Sequence, residues 1–322
     1  VASMVMEEIC LESGVELLYH HDFIQTVVSG KRITHAVFHS KSGFVAVEAR
    51  NYVDCTGDGD LAASAGCPFE IGGPDGICQP MTLCFKLSGV ARERVPDEEI
   101  LHTCYLHAKA EGKIHCPGDH IIKFNFYEDG VVFFNMIRVL KKSAVNGLEL
   151  SEAEVEGHRQ FREIFRWLRS SVPGFENACV YSVAPHIGIR ESRRICGLAR
   201  LSRSDFERRA KFPDAIARCN YPIDIHNPSG NGIELVRMPG TDFYEIPYGC
   251  LVPKEINNLI VGGRPISVDH AVHSSIRIMP VACSIGQAAG IASAMSLNSH
   301  VEIHQLNGIS IRKELIKQGA CL

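Results

Sequence analysis

The chain has 322 residues, of which 45% are hydrophobic and 22% charged, with a net charge of −4. These are globular proportions, and the length allows one large or two medium domains. With no basic excess to neutralise phosphates, a nucleic-acid partner is not expected. The thirteen cysteines are scattered, the closest pair being Cys78 and Cys84, and no C-x-x-C occurs. That pattern predicts reduced thiols in a reducing, cytoplasmic compartment rather than a disulfide framework.

In chain order, "VASMVMEEICLESG" predicts an amphipathic helix closed by Gly14. It starts at Val1, without Met or an N-cap, which predicts a gene that continues upstream. Residues 15–20, "VELLYH", read as a short buried strand. "DFIQTVV", "ITHAVFHS" and "FVAVEARNYVDC" follow as a β-meander joined by Gly-containing turns. The loop "CTGDGDLAASAG" comes next. Residues 68–90 begin as turns and continue as the strand "MTLCFKLSGV", and 97–112 and 151–171 read as helices. "IIKFNFYEDGVVFFNMIRVL" predicts a hairpin turning at Asp129-Gly130, and "YSVAPHIGIRESRRICGLARL" a turn and then a strand. Residues 213–245 read as irregular. The chain then gives a buried strand, Asn258–Val261, a glycine pair, a long loop and the uncharged segment 278–299. That segment has the length of a membrane span. Its Ser, Gln and Asn residues, and its Ala and Gly content, predict a buried helix instead, packed through Gly286, Ala289, Gly290 and Ala294. Strand-rich units at both ends, with a mixed insert between them, predict a discontinuous first domain.

Gly57-x-Gly59-x-x-Ala62 fits the dinucleotide fingerprint. Asp58 and Asp60 argue against it as the main pyrophosphate cradle, because like charges repel strongly where water is scarce. The acidic ribose ligand expected about 20 residues on would be Asp75, a weak fit. The C-terminal unit is the stronger candidate. Its strand ends in Gly262-Gly263-Arg264, where backbone can approach a ligand, and Pro280 suits the first turn of the helix that follows. Free N–H groups there favour an anion, or a ring that becomes anionic on reduction.

Candidate catalytic side chains are His270, His273 and Arg277 before that helix, and His186, Arg190, Arg193 and Arg194 in "PHIGIRESRRICG". In a strand Arg190 and Arg194 share one face and Arg193 takes the other. His226 lies on a Gly/Pro-rich loop suited to substrate contact. For each histidine a structural role is the competing assignment. His102, Cys104, His107, His115, Cys116 and His120 match no standard zinc spacing, so no metal is expected. "RQFREIFRWLRS", with Trp167, reads as a packed amphipathic helix rather than a membrane element.

The pieces "GVELLYH", "VDCTGDGDLAASAGCPFE", "QPMTLCFKLSGV", "GIRESRRICG", "FPDAIARCNYPIDIH", "IPYGCLVP" and "NLIVGGRPIS…SIRIMPVACSIGQAAG" together resemble the FAD-dependent oxidoreductases of the glutathione-reductase-like flavoprotein superfamily. The resemblance covers nearly the whole chain in order and is specific to family, not to substrate. It implies an α/β fold: a discontinuous, N-terminally truncated Rossmann-type FAD-binding domain (1–74 and 245–300), an inserted mixed α/β substrate domain (75–244) and a C-terminal extension (301–322). The primary Gly-rich βαβ unit would be encoded upstream. Thr56, Gly57 and Asp58 would make a secondary contact with the dinucleotide. Gly262, Gly263 and Arg264 would lie near its pyrophosphate and ribityl chain, with Ser275, Ile276, Met279 and Pro280 beside the isoalloxazine.

The implied cofactor is FAD and the implied chemistry is hydride transfer with a small organic substrate, which the arginines predict to be anionic. Arg277, His270, Arg190, Arg194 and His226 are the implied catalytic set. Two other classes stay open: a flavoprotein without net redox, of hydratase or isomerase type, and a cofactor-free fragment acting as an interaction module. The resemblance also predicts Asn258–Val261 parallel to a strand near Val15–Tyr19, and Arg277 and the Pro280 helix terminus facing the largest cleft.

Overall fold

The computed structural model describes residues 2–228, 230 and 232–322. Val1, and Ser229 and Asn231 of the Gly/Pro-rich loop, lie outside the described residues. The meander forms as expected, with Asp22–Ser29, Arg32–Ser40 and Gly43–Glu48 in one antiparallel sheet. Its turns close through Gly30 at φ +59° and Gly43 at φ +104°, conformations that cost glycine little.

The third run splits after Glu48. Tyr52–Asp54 leaves the meander and pairs in parallel with Leu259–Val261, joining segments about 200 residues apart in sequence. The partner expected near Val15–Tyr19 is absent. Residues 15–20 form no strand, and Val15, Leu18 and Tyr19 are exposed. The run lacks a buried alternating face, so nothing fixes it against a sheet.

A four-stranded antiparallel sheet has the order Lys123–Asn125, Val132–Phe134, Phe85–Ser88, Cys179–Val183. The helix Gly147–Ser171 covers one of its faces. Asn146 caps that helix by accepting the Leu148 and Glu149 N–H groups. Its buried stripe, Ala153, Gly157, Phe161, Ile164 and Leu168, follows helical spacing. The stretch 213–245 is more regular than expected, with short strands at Ala215–Cys219, Ile223–His226, Ile233–Val236 and Tyr244–Pro247.

Buried side chains gather in two cores. One joins Ile33, Tyr52, Leu61, Ile195, Phe206, Tyr244, Ile260, Val272 and Ile285. The other joins Met81, Phe85, Tyr105, Phe134, Ile164, Trp167 and Phe175. Leu201, Phe206, Ile216, Ala217, Ile223 and Tyr244 pack in the first core, although they fall inside the expected insert 75–244.

The helix Met279–Ser299 carries the expected Pro near its start. It buries Val281, Ile285, Ala288, Ala289 and Ala292 but leaves Met279, Cys283, Gln287 and Gly290 exposed. A Cβ added at Gly286 or Gly290 would meet open space, so those glycines do not make the expected close packing.

Candidate functional site

The parallel pair places two loops side by side at its carboxyl ends, where open α/β sheets bind ligands. Asp54, buried at the end of its strand, organises the first loop. It accepts the Thr56 N–H at 3.0 Å, the Thr56 hydroxyl at 2.7 Å and the Ala62 N–H at 2.9 Å. The Thr56 hydroxyl in turn accepts the Asp60 N–H at 2.9 Å. Gly57 lies at φ +83°.

The second loop crosses beneath the first. The Gly262 N–H donates to the Asp54 carbonyl at 2.8 Å, and a Cβ at Gly262 would come within 2.7 Å of Cys55 Sγ. Arg264 forms an ion pair with Asp58, and Arg193 Nη1 reaches Asp60 at 2.6 Å. The two carboxylates that count against a phosphate neighbour are therefore each offset by an arginine. The Nε groups of both arginines are buried without a hydrogen-bond partner among the described residues. Glycine backbone, paired charges and unused donors fit the phosphate-bearing part of FAD.

Arg193 and Arg194 are consecutive on the strand Arg193–Ile195 and face opposite ways, as strand geometry requires. Arg194 turns to Glu191, with Nη1 at 2.5 Å from Oε1, and its Nη2 donates to the Gly72 carbonyl at 2.7 Å. The same Glu191 oxygen lies 2.8 Å from His270 Nδ1, and the other accepts the Gln79 N–H at 3.0 Å. His270 and Arg194 line a cavity of about 830 Å³, together with Gly72, Pro74, Ile225 and Asp269.

Arg277 and the first turn of the Met279–Ser299 helix do not line that cavity. Arg277 is well buried, with Nη2 donating to the Asp224 carbonyl at 3.0 Å and lying 4.0 Å from its carboxylate. The loop before that helix is not open chain: it contains the helix His270–Ile276, capped by Asp269. Ser275 and Ile276 are buried in it, the Ser275 hydroxyl donating to the Tyr221 carbonyl at 2.6 Å. Met279 and Pro280 are exposed.

Arg277 Nη1 donates to the Arg190 carbonyl at 3.4 Å, and the Arg190 charge acts on His226. Arg190 Nη1 donates to the Pro80 carbonyl at 2.6 Å and Nη2 to Asn135 Oδ1 at 3.3 Å. Burial, and then the Arg277 and Arg138 charges, lower its pKa to about 10. Asp224 Oδ2 lies 3.6 Å from His226 Nε2. Burial works to raise the Asp224 carboxyl, but His226, Arg277 and Arg190 outweigh it and hold it below its ordinary value. Burial lowers the His226 pKa below its ordinary value, and its Nδ1 has no hydrogen-bond partner among the described residues.

The structure thus divides the five expected catalytic residues. Arg190, Arg277 and His226 share one cluster, while His270 and Arg194 share the cavity. Buried Arg138 and Asp54 and half-buried Asp224 complete the picture without having been singled out. Their only sequence signal is a charged residue inside an apolar run, as for Asp54 in "NYVDC" and Arg138 in "FFNMIRVL". His102 and His120 stack at 4.8 Å, and among the described residues no three His, Cys, Asp or Glu side chains are grouped to hold a metal.

A family model described as FAD dependent oxidoreductase matches residues 1–315. No curated protein matches the sequence. Among solved structures, the chain is similar to a geranylgeranyl bacteriochlorophyll reductase-like protein from Thermoplasma acidophilum. The identity is 9% and the TM-score 0.42, over 97% of this chain and 57% of that one. It is also similar to p-nitrophenol 4-monooxygenase from Pseudomonas putida, at 10% identity and a TM-score of 0.40, over 99% and 54%. A myxobacterial chondrochloren halogenase gives 11% identity and a TM-score of 0.41, over 96% and 52%. The chain spans little more than half the length of each of these structures.

Proposed function

Because the chain belongs to the family of FAD-dependent oxidoreductases, with FAD as its cofactor, we propose that it transfers a hydride between a small anionic organic substrate and the flavin. In this proposal the first core is built on a discontinuous Rossmann-type FAD domain of the glutathione-reductase-like superfamily, 1–74 and 245–300, with apolar residues of 195–244 and of the C-terminal segment packed onto it. The second core belongs to an inserted substrate domain within 75–244, and 301–322 is a C-terminal extension.

One observation carries the substrate assignment. Arg190 and Arg277 both act on Asp224, Arg138 adds its charge beside Arg190, and Glu191 is the other carboxylate acting on Arg277, so three arginines face two carboxylates in a place of little solvent. Charges out of water are costly unless paired, and a bound anion would offset them. Bound FAD would supply the hydride acceptor, and the protein's part is to bind and aim. Arg190 and Arg277 fork onto the substrate carboxylate. His226, neutral and with Nδ1 free, takes the proton that leaves as the hydride does. Arg277 also stands just before the first turn of the Met279–Ser299 helix, whose N–H groups favour negative charge.

The test is anaerobic titration of the FAD-loaded protein with small hydroxy- and amino-carboxylates and with their amides. Loss of visible flavin absorbance with the acids only is expected. Arg277→Ala should slow that loss and lower the flavin reduction potential. Equal reduction by the amides, or an unchanged potential, rejects the assignment. A chain that takes up no FAD supports the interaction-module class instead.

A second possibility is non-redox chemistry of hydratase or isomerase type. The Glu191–His270 pair on the cavity favours it, since a carboxylate-oriented histidine suits acid–base work. Turnover with the flavin oxidised throughout would identify it.

A further inference from the structure

We propose that the open face of the four-stranded sheet binds a planar aromatic carboxylate, a substrate class that rests on the anionic-substrate assignment above. The sheet has one committed face. Phe85, Leu87, Val132 and Phe134 are buried, and Phe85 stacks on Phe134 at 4.8 Å and meets Phe161 of the covering helix at 4.9 Å.

Alternation sends the intervening side chains to the other face. The register places Phe124, Phe133 and Lys86 in one cross-strand row. Phe124 and Phe133 rings stack at 6.2 Å with 29° between planes, and Phe124 is 56% exposed. Lys86 Nζ sits 3.8 Å from the Phe126 ring centre and 6.0 Å from that of Tyr181, itself 48% exposed.

The row leads to a cation. Asn135 lies two residues beyond Phe133, so it shares the open face and stands ~7 Å along the strand. It receives Arg190 Nη2 at 3.3 Å and the Thr82 hydroxyl at 3.1 Å. Arg190 makes its hydrogen bonds to a carbonyl and an amide and has no carboxylate within 4.0 Å among the described residues, Asp224 acting on it only from farther off. Lys86 is likewise held by rings alone. Stacked aromatics beside two cations with no carboxylate in direct contact among the described residues complement a flat ring bearing a carboxylate. The ring stacks on Phe124 and Phe133 and the carboxylate reaches Arg190.

Isothermal titration of the purified protein with 1-naphthoate, benzoate and butyrate separates this proposal from its premise. Naphthoate should bind about tenfold more tightly than butyrate, with benzoate between. Phe124→Ala should weaken naphthoate by about fivefold and leave butyrate unchanged. Because Phe124 is exposed, its loss should not disturb folding, which circular dichroism checks. Equal affinity for naphthoate and butyrate, unaltered by Phe124→Ala, overturns the aromatic assignment and keeps the anionic one. Absence of binding by all three carboxylates overturns both. Self-association that Phe124→Asp abolishes, with no naphthoate binding, shows that a second copy occupies the face and also overturns the proposal.

Discussion

Glu191 holds His270 in the cavity wall, with Oε1 2.8 Å from Nδ1, while the same oxygen takes Arg194. Glu191 is fully buried, and Arg194 is only 4% exposed. Removing one partner of a buried ion pair leaves the other charge uncompensated, which costs about 3–5 kcal/mol. Glu191→Gln should therefore lower the unfolding free energy by about that much in urea titration. A loss below about 1 kcal/mol would mean that Arg194 finds another partner, for which Glu70 at 3.5 Å is the candidate.

Much of this arrangement was legible in the sequence, and the limits have physical causes. The meander, the two long helices and the Asp129-Gly130 hairpin follow from local periodicity and turn chemistry, which neighbouring residues decide. The pairing of Tyr52–Asp54 with Leu259–Val261 joins residues distant in sequence, and its three-residue strands carry no alternation to assign a partner. Arg190 and Arg277 were recognisable as candidates by residue type. Their shared carboxylate, Asp224, was hidden because only the fold brings the segments together. Strand alternation correctly separated Arg193 from Arg194. It failed for Arg190, which precedes the strand Arg193–Ile195 and joins a different cluster.

In the proposed FAD site, the Arg264–Asp58 pair would compete with a phosphate brought to the first loop. The two side chains are 24% and 17% exposed, so the pair is mostly out of solvent and only partly screened. Asp58→Asn should lower the unfolding free energy by about 1–3 kcal/mol, because it leaves Arg264 without its charge partner. It should also tighten FAD binding several-fold by freeing Arg264, read as quenching of flavin fluorescence. Weaker binding in Asp58→Asn would show that the carboxylate positions Arg264 instead of masking it.

Gly262 and Cys55 set the spacing of the two loops. A methyl at residue 262 would meet Cys55 Sγ at 2.7 Å, closer than carbon and sulfur can pack. Gly262→Ala should destabilise by about 1–3 kcal/mol, the range for overpacking. Cys55→Gly removes the obstructing sulfur, so the double variant should recover most of the overpacking cost. A double-mutant cycle in urea measures the coupling, and additivity within about 0.5 kcal/mol would place the strain elsewhere.

His273 should make the protein sensitive to mild acid. Its ring is fully buried and neither nitrogen has a hydrogen-bond partner. Burial, and then the charges of Arg277, Arg194, Arg264 and His270, hold its pKa well below the ordinary 6.5. The unfolded chain, with an ordinary histidine, binds the proton more readily than the folded one. The contribution to stability is thus fully present above pH 6.5 and is lost as the pH falls from there toward the lower folded value. At pH 5.5 one such group costs about 1.4 kcal/mol relative to neutral pH. His273→Leu removes the titration without breaking a hydrogen bond, so it should be nearly neutral at pH 7.5. The variant should also lose about 1.4 kcal/mol less than the parent between pH 7.5 and 5.5, measured by urea unfolding at both values. Identical pH dependence in parent and variant would show that His273 does not titrate between the folded and unfolded states.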